Sequence, residues 1–415
     1  MFLIKRLCGA GVLLLHASLV PTVPAYAQER CSGSTVVIGG ALKDDNAEVW
    51  SRVVQLAGGA GSRIAVIATA SANPQTAGQT LVSLLRKAGA QAEAVSVAAN
   101  VAAGSTDADD PALAARLATF SGVYFSGGEQ VRLLDALQPQ GRETPLLTAI
   151  RALHCRGGVV AGSSAGAAVL SDIAFRDLPD PLQALKQPQR LAQDGAQVGR
   201  GFGFVPAGVI VDQHFVQRGR IGRLLPLMLA RGVPLGLGVE ENSAAVVRGM
   251  QVEVIGARGV LLVDTTAARQ DAAAGAFNAS GVRLAWLESG DGIDLATRQP
   301  RIAADRRTQP APAQRTGRYF HADMLGSQTL VSALTQLALG SRAEAVGLAW
   351  TALPGPADPH PQLAFEWTLS AGPDTRAHVN RAGDSVTNVM LSVRPVRLAD
   401  PLYGPWSAAV PLKQP

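Results

Sequence analysis

From residue 34 onward, short β-branched runs alternate with stretches whose apolar residues recur every three or four positions. TVVIGG is followed by AEVWSRVVQLAG, RIAVIATA by QTLVSLLRKAGA, QAEAVSV by PALAARLATF, and GVYFSGG by EQVRLLDAL. A buried strand followed by an amphipathic helix, repeated in this way, predicts an α/β fold: a doubly wound, mostly parallel sheet with helices on its faces. The pattern continues through GGVVAGS and AGVIVDQHF, then the helical GRIGRLLPLMLARG and the strand PLGLGVE. After Glu241 it changes to hairpin-like alternation in SAAVVRGMQVEVIGARGVLLVD, with Gly249 and Gly256 near the bends. The wound core is therefore expected to finish in antiparallel strands.

Residues 303–318, AADRRTQPAPAQRTGR, are polar and proline-bearing without a period, and read as a linker. They divide a main domain at 28–302 from a small C-terminal extension at 319–415. In that extension DMLGSQTLVSALTQLALGSRAEA looks helical, and QLAFEWTLSAG and SVTNVMLSVRPVRL look like strands. No chemical motif stands out in the extension; its His360, in DPHPQ, reads as a solvated loop residue.

The N-terminus follows a different pattern. Lys5 and Arg6 precede an apolar run from Leu7 to Val20, and Ala25-Tyr26-Ala27 offers a small-x-small cleavage site. This reads as a secretory signal peptide over 1–27, with the mature chain starting at Gln28 and destined for the periplasm or the outside of the cell. The run is shorter than the ~20 apolar residues a bilayer requires, so a stable membrane anchor is not expected. Cys8 heads the run rather than closing it, which argues against a lipoprotein.

The formal charge is +5, and two of the basic residues lie in the leader. The remaining excess is nearly all arginine and forms no basic run, so nucleic acid is not an expected partner. Export leaves Cys31 and Cys155 where a disulfide can persist. Each lies just before an apparent strand, and parallel strands share one edge for their N-termini, so the two could meet; whether they bond is left open. No second Cys or His pair has the spacing of a zinc site, and no metal is expected.

Chemistry enters at Gly162-Ser163-Ser164-Ala165-Gly166, between a hydrophobic strand and the helical AAVLSDIAF. A Gly-x-Ser-x-Gly turn from strand to helix forces an unusual backbone on its central residue and leaves no room for neighbouring side chains. It would place Ser164 at the tip, with the backbone N–H of Ala165 facing a developing oxyanion and Ser163 a bystander. The same pattern also suits a close-packed turn with no chemistry, so the serine needs a base. Beyond the leader the histidines are His154, His214, His321, His360 and His378. His214 follows a strand directly, where α/β ligand sites form, and precedes Arg218, Arg220 and Arg223, which suit carboxylates. Glu240 and Glu241 end the next strand; adjacent residues leaving a strand point to opposite faces, and the residues alone do not choose between them.

These residues resemble the cyanophycinase and aspartyl-dipeptidase family of serine peptidases. Gly162 to Ala167 is similar to the family elbow Gly-Thr-Ser-Ala-Gly-Ala, with Ser163 in place of threonine. Asp212, Gln213, His214 and Phe215, followed by Arg218, Arg220 and Arg223, match a second family segment in full. Gly127, Gly128, Glu129 and Gln130 stand where the family has Gly-Gly-Asp-Gln, and Gly236 to Glu241 where it has Gly-x-Gly-Ile-Asp-Glu.

The resemblance implies a class I glutamine-amidotransferase-like fold. It also implies Ser164 as nucleophile, His214 as base and then acid, and Glu241 as the orienting carboxylate. Oxyanion donors would come from Ala165 and from Gly127 or Gly128, and Gln130, Asp212, Gln213 and the three arginines would bind substrate. No cofactor is implied; the substrate would be cyanophycin, a polyaspartate with arginine on each β-carboxyl, cleaved to β-aspartyl-arginine dipeptides, and family members are often homodimers. The alternatives are a periplasmic aspartyl or isoaspartyl dipeptidase, and an exported binding protein that retains the site shell without catalysis. A lipase of the serine, acid, histidine order would need His321 or His378 as its base, both outside the matched segments.

Overall fold

A computed structural model describes residues 31–97, 107–177, 179–351, 355 and 358–399. The expected leader at 1–27, Cys8 included, lies outside the described residues. The first half of the chain is strand and helix in alternation: β1 (Ser34–Ile38), α1 (Ala47–Leu56), β2 (Arg63–Ile67), α2 (Pro74–Lys87), β3 (Gln91–Ala94), α3 (Pro111–Leu117), β4 (Gly122–Phe125), α4 (Gln130–Leu137), α5 (Pro145–Cys155) and β5 (Val159–Ser163). These five strands pair in parallel in the order β1-β5-β4-β2-β3. Asn46, Asp110 and Thr144 start α1, α3 and α5 by accepting backbone N–H bonds that no helical carbonyl can take.

After α6 (Ala165–Ala168), β6 (Ile173–Phe175), α7 (Pro181–Lys186) and β7 (Val198–Arg200) come β8 (Val209–Gln213), α8 (Ile221–Arg231) and β9 (Leu235–Val239). The alternation suggested that β8 and β9 extend the first sheet. They instead open a second one, pairing in parallel with each other. The chain then crosses back at Glu240–Asn242 to β10 (Ser243–Arg248), which lies antiparallel beside β1, and continues through β11 (Gln251–Gly256) in the expected hairpin. Val37, Val160 and Ala245 of the first sheet share one core with Val211, Leu237 and Leu262 of the second. The two sheets thus meet face to face, and the residues that end β1, β5, β8 and β9 converge.

The second sheet grows through β12 (Val260–Asp264) and β13 (Ala279–Leu287), while β14 (Gly292–Asp294) and β15 (Gln299–Arg301) edge the first. Beyond them lie β16 (Arg307–Thr308), β17 (Arg318–His321), α9 (Thr329–Leu339), β18 (Glu344–Ala349), β19 (Leu363–Val379) and β20 (Asp384–Arg397). The expected linker at 303–318 and separate domain at 319–415 give way here to a shared sheet. β20 pairs along β13, and β16, inside the expected linker, pairs with β19. The cause is the alternating apolar face of β19 and β20: Trp367, Leu369, Leu391 and Val393 are buried in one cluster with Trp286 of β13. Among the described residues no helix is long and apolar enough to cross a membrane.

Cys31, before β1, and Cys155, which ends α5, are joined in a disulfide where the parallel strands begin. Closing a loop of 124 residues removes about 4–5 kcal/mol of unfolded-state entropy on a chain-entropy account.

Candidate active site

Ser164 occupies the turn from β5 into α6 with φ 53° and ψ −115°, a region that costs a side-chain-bearing residue about 1–3 kcal/mol. The turn is held by its packing. Ser164 N–H donates to Ile38 O at 3.1 Å, and the glycines on either side touch the backbone. A Cβ on Gly162 would stand 2.1 Å from Gly166 O, and one on Gly166 would stand 2.4 Å from Phe125 O. Gly162→Ala is therefore expected to destabilise the protein by about 3 kcal/mol, whereas Gly195→Ala, where a Cβ meets nothing within 4 Å, should leave the thermal midpoint nearly unchanged; parallel melts check both. Ser163 ends β5 beside the buried Tyr124 phenol, whose pKa burial raises and the neighbouring Ser163 hydroxyl lowers.

The imidazole that reaches Ser164 comes from the other sheet. His214 follows β8, itself at φ 46°, with its N–H donated to Gly39 O at 2.7 Å. Gly40 lies under the imidazole: a Cβ there would be 2.3 Å from Nε2. Glu241 Oε1 lies 2.6 Å from His214 Nδ1, and Ser164 Oγ lies 2.8 Å from Nε2. A carboxylate only accepts, so the ring proton sits on Nδ1, and the Nε2 lone pair accepts from the serine hydroxyl. Burial holds the His214 pKa below the ordinary ~6.5. The hydrogen bond to Glu241 opposes that shift, and the nearby cations of Arg218 and Arg220 add to it. The imidazole is thus neutral at the pH where a base must act.

The two acids that the sequence left equivalent separate cleanly. Glu241 faces the imidazole, whereas Glu240 points into the core, where its Oε2 accepts the N–H groups of Val216 at 2.7 Å and Gln217 at 3.1 Å. Glu240 is fully buried, and burial raises its pKa. It therefore fixes the loop that leaves His214.

The profile of peptidase family S51 matches residues 35–255, over half of the chain and including every residue of this hydrogen-bonded line. The chain belongs to peptidase family S51. It is 31% identical over 276 residues to a cyanophycinase of Synechococcus elongatus, covering 64% of this chain and 80% of that one. A cyanophycinase of Geminocystis herdmanii is 32% identical over 276 residues, 64% of this chain and 95% of its own. One from Trichormus variabilis is 33% identical over 238 residues, 56% and 74%. The solved structure of a peptidase from an acI-B1 actinobacterium aligns with a TM-score of 0.44 at 24% identity, over 57% of this chain and 92% of that one. As an S51 member the chain is a peptidase.

Around the S51 serine, Gly127 lies close: a Cβ there would be 3.9 Å from Ser164 Oγ. Ala165 is the first residue of α6, where a backbone N–H has no helical acceptor, and Gly128, next after Gly127, packs against the Ala70 backbone. Gln213 Oε1 is 3.5 Å from Ser164 Oγ. The other expected substrate contacts are placed differently. Asp212 is fully buried and accepts both Arg223 Nε at 2.8 Å and Nη2 at 2.7 Å, with the Arg223 guanidinium over the Phe175 ring. Arg220 is buried and donates to Gln213 O at 2.8 Å; desolvation pushes its pKa down to about 10. Gln130 is buried with Nε2 donating to Arg176 O at 3.2 Å. Asp212, Arg220, Arg223 and Gln130 thus brace the site from behind, because a charge buried at a strand end must be paired to be tolerated. Arg218 alone of the three arginines is exposed.

Sequence reasoning missed Gly39, Gly40 and Asn242. Asn242, at φ 57°, donates its N–H to Gly40 O at 2.9 Å and accepts Lys43 N–H on Oδ1 at 3.0 Å, which straps the loop after β1 beneath the imidazole. The Gly39-Gly40 pair at a strand end was the available signal.

Removing the Arg218 charge relieves its repulsion of the imidazolium. Arg218→Gln is expected to raise the His214 pKa and move the acid limb of the kcat/KM profile to higher pH, a shift that a pH series of initial rates would show.

Proposed function

We propose that this S51 peptidase is a serine exopeptidase acting on cyanophycin-type polyaspartate, releasing β-aspartyl-arginine dipeptides through an acyl-enzyme on Ser164. The line Glu241–His214–Ser164, at 2.6 and 2.8 Å, is the observation that carries it. His214 Nε2 takes the Oγ proton as Oγ bonds to the scissile carbonyl carbon. The oxyanion develops toward the Ala165 N–H and the Gly127–Gly128 turn, and the imidazolium returns the proton to the leaving amine. Water, deprotonated by the same imidazole, then releases the acyl group. The relatives named cyanophycinase support the polymer as substrate, and the leader pattern supports export, so that the polymer is met outside the cytoplasm.

A second reading, an aspartyl or isoaspartyl dipeptidase, has one observation in its favour. A single exposed arginine, Arg218, is enough to anchor the terminal carboxylate of a short peptide. Purified mature protein given insoluble cyanophycin and a panel of aspartyl dipeptides separates the two. Soluble β-aspartyl-arginine from the polymer supports the first reading; free amino acids from dipeptides with the polymer untouched overturn it in favour of the second.

A further inference from the structure

The S51 match ends at residue 255, yet residues well beyond it close onto the loop that carries His214. Gln328 donates its N–H to Val216 O at 3.2 Å, and Ser327 Oγ and Gln328 Nε2 donate to Gln217 Oε1 at 3.0 and 3.3 Å. Gly219 comes so close that a Cβ would stand 2.2 Å from Leu325 O. Further along, Lys186 of α7 and Asp358 form a pair at 2.6 Å, with side chains 0% and 1% exposed, and Lys186 Nζ also donates to His360 O at 2.9 Å. The C-terminal segment is thereby held to the S51-matched half at two places, and residues of both halves line one cavity.

That cavity, of about 380 Å³, has Arg218 on one wall and Asp180, Asp323 and Trp350 among its other lining residues. Arg218 lies four residues after His214, is exposed, and makes no ion pair among the described residues. Asp180 starts α7, accepting the N–H groups of Leu182 and Gln183 on Oδ1, and Asp323 Oδ1 accepts Leu325 N–H. The Trp350 indole is anchored by its Nε1 donating to Ala322 O at 3.0 Å. One cation, two carboxylates and a flat aromatic face around one space do not suit an apolar or a purely anionic group. They suit a residue with a carboxylate at one end and a planar cation at the other.

We propose that the C-terminal segment builds a substrate subsite beside the catalytic loop, in which Arg218 takes a carboxylate while Asp323 and Trp350, with Asp180, select a guanidinium side chain. The inference rests on the peptidase reading above for its substrate, and it assigns selectivity for the charged side chain to residues outside the S51 span.

Binding measured without turnover tests it. Ser164→Ala protein is titrated calorimetrically with β-aspartyl-arginine and with its neutral isostere β-aspartyl-citrulline. The arginyl ligand is expected to bind at least about tenfold more tightly, which is one charge-assisted contact. Asp323→Asn in the same background keeps an acceptor for Leu325 N–H and should bring the two affinities within about threefold, and Trp350→Ala should weaken the arginyl ligand selectively. Equal affinities in the parent, no binding of either ligand, or a preference that survives Asp323→Asn overturns the subsite. Covalent labelling of Ser164 in the wild-type chain reports on the peptidase reading separately. A chain that labels but shows no charge preference loses only the subsite, and one that shows the preference but does not label loses only the acyl-enzyme.

Discussion

Ser164→Ala is expected to lower kcat on any hydrolysed substrate by about ten-thousandfold or more while leaving the thermal midpoint within a degree or two of wild type, or slightly above it. Among the described residues, Ser164 carries the hydroxyl that hydrogen-bonds the His214 imidazole, and Gln213 beside it offers no nucleophile. The fold depends little on it: the turn is held by Ser164 N–H on Ile38 O and by the Gly162 and Gly166 contacts, all of which alanine keeps. Alanine at φ 53° is as strained as serine, and removing a hydroxyl from a half-open cleft costs little. Initial rates and a melt on the same preparation check both halves of the expectation.

Glu241→Gln is the second large effect, expected to reduce kcat by on the order of a thousandfold to ten-thousandfold with KM little changed. Glutamine keeps the shape of the side chain but removes the charge that stabilises the imidazolium in the transition state. Its amide also offers a donor to Nδ1, favouring the tautomer that cannot accept the serine proton. Because the Glu241 hydrogen bond and charge both raise the His214 pKa, their loss lowers it further. The residual activity should therefore keep its acid limb at lower pH than wild type, opposite in sign to Arg218→Gln. Glu241 is partly exposed, so the fold should survive, and a kcat against KM split with a pH series separates this chemical loss from misfolding.

Much of this site was legible in the sequence because local pattern alone determines it. The strand-to-helix glycine frame put Ser164 at a tip, and the strand-end position of His214 put it near a cleft; both stand where those patterns implied. What the pattern did not carry was long-range pairing. Strands β8 and β9 have the same apolar texture whether they extend one sheet or begin another, so the sandwich of two sheets depends on contacts among residues such as Val37, Val211 and Leu262.

The spaced arginines illustrate the same limit. Arg218, Arg220 and Arg223 look alike in the chain, yet Arg223 faces buried Asp212 and Arg220 faces Gln213 O, leaving only Arg218 toward solvent. Glu240 and Glu241 likewise separate only when one meets the loop backbone and the other the imidazole. The tail looks independent along the chain because its polar preface at 303–318 resembles a linker. Its strands nevertheless needed the free edge of β13, which no local signal announces.

The central claim, that Ser164 is an activated nucleophile held by His214 and Glu241, is tested most directly by intact-protein mass spectrometry after exposure to a fluorophosphonate at neutral pH. The account predicts a single adduct per chain, mapped by peptide digestion to Ser164, absent from Ser164→Ala and strongly slowed in Glu241→Gln. A folded wild-type chain that takes no adduct, or an adduct that persists in Ser164→Ala, would contradict it.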